Sequence, residues 1–201
     1  MAGDAIQLSD DDVRRLRSAL GAEVEVPDDE WSWLIGRSRI ATFDVGELVF
    51  AQGRKVDEAY FVLAGMVRYF AVAKASKREV IFGFDYEGRF VADHESLFGG
   101  GAAQRSAEAI ETVRAVAIRY DVMTAAWQRD ARWSIVSCRL YEQLLRRAAD
   151  KERRIRMLTA EQRYRDLVES GSPLATRLPQ YQLAGYLGVA PETLSRIRAR
   201  M

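Results

Sequence analysis

Histidine and cysteine are almost missing from this chain. Among 201 residues, His94 is the one histidine and Cys138 the one cysteine. A single cysteine excludes an internal disulfide and any all-cysteine zinc or iron–sulfur site. A single histidine excludes a histidine-rich metal centre and leaves His94 as the one candidate axial ligand for a haem. Its reading here is a structural histidine. No run approaches the ~20 apolar residues of a membrane-crossing helix. The first twelve residues are acidic and polar, unlike a secretory signal, so a cytoplasmic protein with no membrane partner is expected. Neither a Gly-x-Ser-x-Gly nor a His-Glu-x-x-His nor a phosphate-loop signature occurs, and the chain does not read as an enzyme. Proline is scarce: Pro27, Pro173, Pro179 and Pro191 are all there is. Turns between 28 and 172 must therefore rest on glycine and polar residues. An excess of either charge is lacking too, with a net charge of +1.

What is present is apolar material, at 48% of the chain, which is enough for a core in one or two domains. The near-zero charge is an average over opposed ends. Residues 1–30 carry nine acids and three bases, and residues 139–201 carry 13 bases and seven acids. Such asymmetry suits a polyanion-binding C-terminal part, and equally two solvated faces.

The first segment reads as a helix capped by Ser9, with Asp10 to Asp12 at its positive end, Val13, Leu16 and Leu20 on one face and Gly21 as its stop. A short helix carrying Trp31 and Leu34 comes after Pro27. From about 39 to 120 the texture becomes short β-branched and aromatic runs, at 47–51, 59–63, 66–72, 79–84 and 113–118, punctuated by glycine. That pattern predicts an all-β sandwich or barrel. Glycine then vanishes over 121–169, which reads as mostly helical. Tyr141, Leu144, Ala148, Lys151, Ile155 and Leu158 form an imperfect coiled-coil seam, predicting self-association; the alternative is a helix face packed on its own β domain. Cys138 is expected to be buried packing. Gly171-Ser-Pro173 reads as a linker edge, and 174–201 as helical with one interruption, at Gly188.

Residues 180–200 have helix-turn-helix spacing. Pro179 is expected in the first turn of the first helix, Gly188 at the tight turn and Pro191 at the start of the second helix. Leu183, Ala184, Leu187, Leu194 and Ile197 would face inward, leaving Glu192, Thr193, Ser195, Arg196, Ala199 and Arg200 outward. A recognition helix needs polar groups for base edges near its start and basic groups for phosphates. An ordinary helical hairpin with a Glu192–Arg196 surface pair is the alternative.

Three stretches together resemble the Crp/Fnr family of bacterial transcription regulators. Phe43-Asp-Val-Gly-Glu-Leu-Val-Phe-Ala-Gln-Gly53 is similar to its opening strands, and Asp57-Glu-Ala-Tyr-Phe-Val-Leu-Ala-Gly-Met-Val-Arg-Tyr-Phe70 to its central strand pair. Tyr186-Leu-Gly-Val-Ala-Pro-Glu-Thr-Leu-Ser-Arg196 is similar to its helix-turn-helix. The resemblance covers roughly 26–201. It implies an α+β architecture: N-terminal helices and a cyclic-nucleotide-binding-like jelly-roll barrel over 1–120, one long dimerisation helix over 121–158, and a helix-turn-helix DNA-binding domain over 159–201. The chain ends at Met201, where the family continues into a β-hairpin wing, so a short member without a full wing is expected.

The resemblance also implies roles. Glu192, Ser195 and Arg196 match the Glu-x-x-Ser-Arg reading triplet of the Fnr branch, with Thr193, Arg198 and Arg200 expected at phosphates. Double-stranded DNA, a second copy of the chain and RNA polymerase are the implied partners. In the family's phosphate cassette, Arg105, Ser106 and Glu95 are the candidate effector-binding residues, and the start of a short helix receives the anion. Ala92 stands where the cassette has glycine, and Ala148 and Ala149 stand where the purine is touched. The reading is therefore a degenerate pocket for an unidentified small-molecule effector, with no metal and no resident cofactor. A cAMP- or cGMP-dependent regulator, or a ligand-binding or protein-interaction module that no longer reads DNA, are the alternatives.

Overall fold

A computed structural model of the chain describes residues 8–21, 24–73 and 77–201. Two helices lead in, α1 (Asp10–Gly21) and α2 (Asp28–Ile35). Eight strands come next: β1 (Arg39–Phe43), β2 (Leu48–Phe50), β3 (Glu58–Ala64), β4 (Met66–Val72), β5 (Glu79–Tyr86), β6 (Phe90–Val91), β7 (Ser106–Ala109) and β8 (Val113–Arg119), with the short α3 (His94–Gly99) between β6 and β7. The chain then turns helical: α4 (Tyr120–Arg129), α5 (Ala131–Met157), α6 (Ala160–Glu169), α7 (Pro173–Arg177), α8 (Gln180–Leu187) and α9 (Pro191–Ala199).

The expected jelly roll is present as two antiparallel four-stranded sheets, ordered β1-β8-β3-β6 and β2-β7-β4-β5. Their inner faces share one apolar cluster that includes Val62 and Ala115 from the first sheet and Val67 and Ala107 from the second. The outer face of the first sheet gives Phe61, Leu63, Val116 and Ile118 to a second cluster with Leu16, Trp31, Leu34 and Trp133 of the helices. β3 is therefore buried on both sides, which is why it reads as a continuous apolar run without alternation. The outer face of the second sheet gives Met66 and Phe84 to a third cluster, built with Tyr164, Leu174, Leu183, Leu187 and Leu194 of α6–α9.

Local chemistry sets the boundaries. Ser9 and Asp12 cap α1 reciprocally, Ser9 N donating to the Asp12 carboxylate at 2.9 Å and Asp12 N to Ser9 Oγ at 3.3 Å. The same carboxylate takes both ends of the Arg114 guanidinium of β8 at 2.6 Å, which holds its pKa far below the usual range. α1 ends at Gly21, and residues 22 and 23, on which the expected stop depends, lie outside the described residues. Gly65 turns β3 into β4 at φ +92°, where a Cβ would lie 2.3 Å from the Thr112 carbonyl oxygen. Only glycine fits that approach.

Several expectations need correction. The single helix over 121–158 is two helices, because Asp130 adopts an extended conformation and caps α5 by accepting from Arg132 N at 2.8 Å. The stretch from 174 to 201 breaks twice, since Leu178 precedes Pro179 and is pushed into extended geometry. Pro179 itself is the N-cap of α8 and not a residue of its first turn. Cys138 is exposed. The seam is also divided: Tyr141 packs edge-on to Phe98 at 5.3 Å, and Lys151 donates to the Phe82 carbonyl of β5, so these residues face the chain's own roll. The strongly exposed apolar residues of α5 are Ile135, Leu145, Ile155 and Met157.

One side chain ties the helical unit to the turns of the roll. Arg177, at the end of α7, donates to Glu87 Oε2 at 2.8 Å and to Glu111 Oε1 at 2.9 Å. Glu87 Oε1 also accepts from Gly65 N at 2.8 Å. Arg177→Ala should cost about 1–2 kcal/mol, for charge-assisted bonds that solvent partly screens. That corresponds to a loss in Tm of about 2–8 °C at pH 7. Arg177 holds the Glu87 carboxyl below its ordinary value. Its contribution is therefore fully present above about pH 4.3 and lost as the pH falls through the lower folded value. Thermal melts of the two proteins should differ at pH 7 and converge in acid; identical curves at pH 7 refute the tie.

Candidate functional site

Two surfaces carry the residues singled out from the sequence. The first is the exposed side of the α8–α9 pair. Gly188 makes the turn at φ +71°, in the left-handed region that favours glycine. Val189 N donates to the Ala184 carbonyl at 3.0 Å. Gln180 Nε2 donates to the Pro191 carbonyl at 3.0 Å and so pins the start of α8 to the start of α9. Pro191 sits in the first turn of α9, where its missing N–H costs nothing. Leu183, Ala184, Leu187, Leu194 and Ile197 are buried as expected.

That packing leaves Glu192, Ser195, Arg196, Arg198, Ala199 and Arg200 exposed, and Thr193 half-buried. Arg196 Nε turns back to the Glu192 carbonyl at 3.4 Å, a weak hold that leaves the guanidinium able to reach outward. Arg198 is anchored, donating from Nε to the Tyr164 hydroxyl at 3.2 Å with its guanidinium over that ring. Tyr181, exposed at the start of α8, is a neighbouring group that the sequence motif did not flag.

The second surface is a cleft of about 660 Å³ between β5, α5 and the α6–α8 unit. Arg105 lines it, and Glu95 and Ser106 are not among its lining residues. Glu95 is exposed on α3. Ser106 is buried, its Oγ accepting from Gln52 N at 2.9 Å. Nor is the start of α3 open to an anion, because Asp93 caps it, accepting from Ser96 N at 3.0 Å. The Asp93 carboxylate also lies 3.8 Å from Arg105 Nε, while the guanidinium stacks over the Tyr69 ring at 4.4 Å. Arg105 and the start of α3 thus already have an internal carboxylate as a neighbour.

Toward α5 and α6, at the hinge where the helical unit joins the roll, the cleft becomes strongly cationic. Arg89, Arg105, Arg147, Lys151, Arg154 and Arg163 line it, against two acids, Asp85 and Asp150. Arg89 pairs with Asp85 at 3.3 Å, and Arg154 with Asp166 at 2.9 Å. Arg163 donates to the Leu187 carbonyl at 2.8 Å, and its buried Nε has no partner among the described residues. Burial, reinforced by the Arg105 charge, pushes the Lys151 ammonium down from its ordinary pKa. Burial likewise lowers His94, which stacks on Phe98. Of the cleft's cations the sequence had marked only Arg105, although Lys151 was visible as the break in the seam. The others are gathered by the fold from the β5–β6 turn, α5 and α6. Ala148 lines the cleft, and Ala149 is not part of its wall.

Residues 40–130 match the family model of the cyclic nucleotide-binding domain. The stretch runs from β1 through the last residues of α4. A search of curated proteins finds no match. Among solved structures, the chain is similar to the c-di-GMP responsive global regulator CLP of Xanthomonas campestris, at 19% identity and a TM-score of 0.67, over 87% of this chain and 91% of that one. It is similar to FixK2 of Bradyrhizobium japonicum, at 20% identity and a TM-score of 0.68, over 81% and 83%. It is also similar to the catabolite activator protein of Thermus thermophilus, at 22% identity and a TM-score of 0.54, over 87% and 83%. At such identities the likeness establishes the fold, a cyclic nucleotide-binding jelly roll with helices in the arrangement of Crp-like regulators. No helix among the described residues is long and apolar enough to cross a membrane.

The α8–α9 crossing gives a direct test of the packing. Ala184 has no exposed surface. Ala184→Leu should cost about 1–3 kcal/mol through overpacking. Urea unfolding should show a lower midpoint, and an unchanged midpoint would mean that the helices do not cross at this residue.

Proposed function

We propose that this chain is a DNA-binding transcription regulator of the Crp/Fnr type. It acts as a homodimer on a palindromic site, under the control of a small-molecule effector in the cleft. The observation that carries this reading is the α8–α9 pair. Its inner face is consumed by packing, and its free face presents a glutamate, a serine and an arginine along the first turns of α9. Arg196 suits a bidentate contact with guanine, and Glu192 can accept from a cytosine amino group. Ser195 completes the reading, with Thr193, Arg198 and Arg200 at phosphates.

The exposed apolar residues of α5 support self-association, since a long helix with Ile135, Leu145 and Ile155 in solvent needs a partner. Two copies would then hold their recognition helices one DNA turn apart, ~34 Å. The c-di-GMP response named for CLP supports an effector acting through this fold. Contact with RNA polymerase and a cytoplasmic location belong to the same reading. It describes a binding protein, and no residue is assigned a catalytic role.

Selection from random duplexes, followed by fluorescence anisotropy on the enriched sequence, tests it. A palindrome should emerge. Arg196→Ala should lower affinity for it about 5–150-fold and relax selectivity at one base. Arg198→Ala should weaken all sequences evenly and flatten the salt dependence by about one unit of slope. Absence of any enriched sequence, or an unchanged affinity in Arg196→Ala, favours a ligand-binding or protein-interaction module instead.

A further inference from the structure

The cleft's charge lies in the wrong place for a cyclic nucleotide, whose phosphodiester carries one negative charge. A single phosphate charge at the cassette would need Arg105, Ser106 and the start of α3. Asp93 already faces Arg105 and caps α3, and Ser106 bonds to Gln52 N instead. The positive surplus sits further along, on α5 and α6. Both acids of the lining are spoken for, Asp85 by Arg89 and Asp150 by Arg153 at 2.6 Å. Arg163 is held in place through its contact with the Leu187 carbonyl and still has a buried donor to spare. Lys151 stands 6.0 Å over the Tyr186 ring, within a wall that also includes Phe82 and Tyr86. Concentrated like charge with low-dielectric walls attracts and holds a counter-ion, and guanidinium groups suit phosphate oxygens.

We infer that the hinge end of this cleft binds a phosphorylated small molecule carrying two or more negative charges, held by Arg147, Lys151 and Arg163. This deepens the proposed function by naming the effector's chemical class, and it rests on the reading of the cleft as an effector site. The volume of about 660 Å³ accommodates such a molecule together with a flat ring against the aromatic wall. The ligand would touch β5 and α5 on one side and α6 and α8 on the other, so its charge closes the joint between roll and helical unit.

Calorimetric titration of the full chain, without DNA, tests this with four probes: tripolyphosphate, ATP, cAMP and adenosine. Tripolyphosphate and ATP should saturate at one per chain. ATP should be the tighter, cAMP at least tenfold weaker than ATP, and adenosine silent. Arg163→Gln should weaken ATP at least tenfold, and Arg105→Ala should weaken it less. Ala148→Glu guards against a folding artefact, since this exposed helical residue lines the cleft and can carry a carboxylate without losing a packed contact. It should abolish binding while the thermal melt stays cooperative. No saturable heat from either polyphosphate overturns the inference. So does cAMP binding tightest with Arg105→Ala as the most damaging variant, and so does ATP heat that survives Ala148→Glu. Loss of the heat in Arg196→Ala would place the phosphates on α9 and overturn it as well. A chain that takes up tripolyphosphate yet selects no DNA sequence refutes the regulator reading alone. One that selects DNA and ignores every phosphate refutes this inference alone.

Discussion

The outer face of the second sheet has to be covered, and most of the architecture answers to that need. Met66 and Phe84 point away from the interior of the roll and are buried all the same. What buries them is the same cluster that holds α8 against α9. Gly185 of α8 comes close enough to β5 that a Cβ there would lie 3.1 Å from Ile81 Cδ1. The roll and the helical unit therefore share one core, and the apolar surface removed from water at this joint favours keeping them together. The cleft is a consequence. β5 is an edge strand, α5 passes over it, and α6–α8 close the remaining side, so a space walled by both units is left at the hinge.

Electrostatics then separates the two ends of the chain. Part of the acidic start is taken up in ion pairs. Asp12 is taken up by Arg114, Glu30 by Arg129 at 2.9 Å and Asp28 by Arg17 at 2.5 Å. The first two of these pairs lock α1 and α2 onto later elements. Several basic residues of the C-terminal part line the cleft or lie exposed on α9, while Arg139, Arg153, Arg156, Arg165 and Arg177 form ion pairs. A net charge of +1 for the whole chain is compatible with a local surplus, since six bases and two acids line the cleft.

Much of this was legible in the residues, and the failures have physical causes. The strand runs at 59–63, 66–72 and 113–118 stood out because β-branched and aromatic residues crowd them. β7 was invisible because its sequence is Ser-Ala-Glu-Ala, with two small residues fully buried by the roll and no apolar bulk to signal it. β6 is two residues long, below any periodicity. Asp130 looked like one more charge in a helical stretch, and its capping role shows only in backbone geometry. The seam had the right spacing but a different destination: Lys151 breaks its apolar pattern because that position looks into the cleft. The α8–α9 pair was the most legible feature, since Gly188, Pro191 and five apolar positions each satisfy a separate local requirement. The cationic hinge was the least legible. Its members are far apart in sequence, and only the fold brings the scattered arginines to one cleft.

The position of that hinge bears on how control could work at all. A ligand shifts a conformational equilibrium only by the difference in its affinity for the two states. A molecule seated wholly between the two sheets would contact residues whose arrangement is the same whatever the pose of α8 and α9. One seated where β5, α5, α6 and α8 meet contacts both units, and its interactions change whenever they move apart. Arg163 makes the coupling concrete. Its guanidinium is bonded to the last residue of α8, immediately before the Gly188 turn that leads into α9. An anion that recruits Arg163 pulls on the carbonyl end of α8, and by reciprocity any force on α9 that moves that carbonyl changes the affinity of the cleft. In the proposed function the cleft and the α8–α9 pair need no long path between them, because Arg163 touches both.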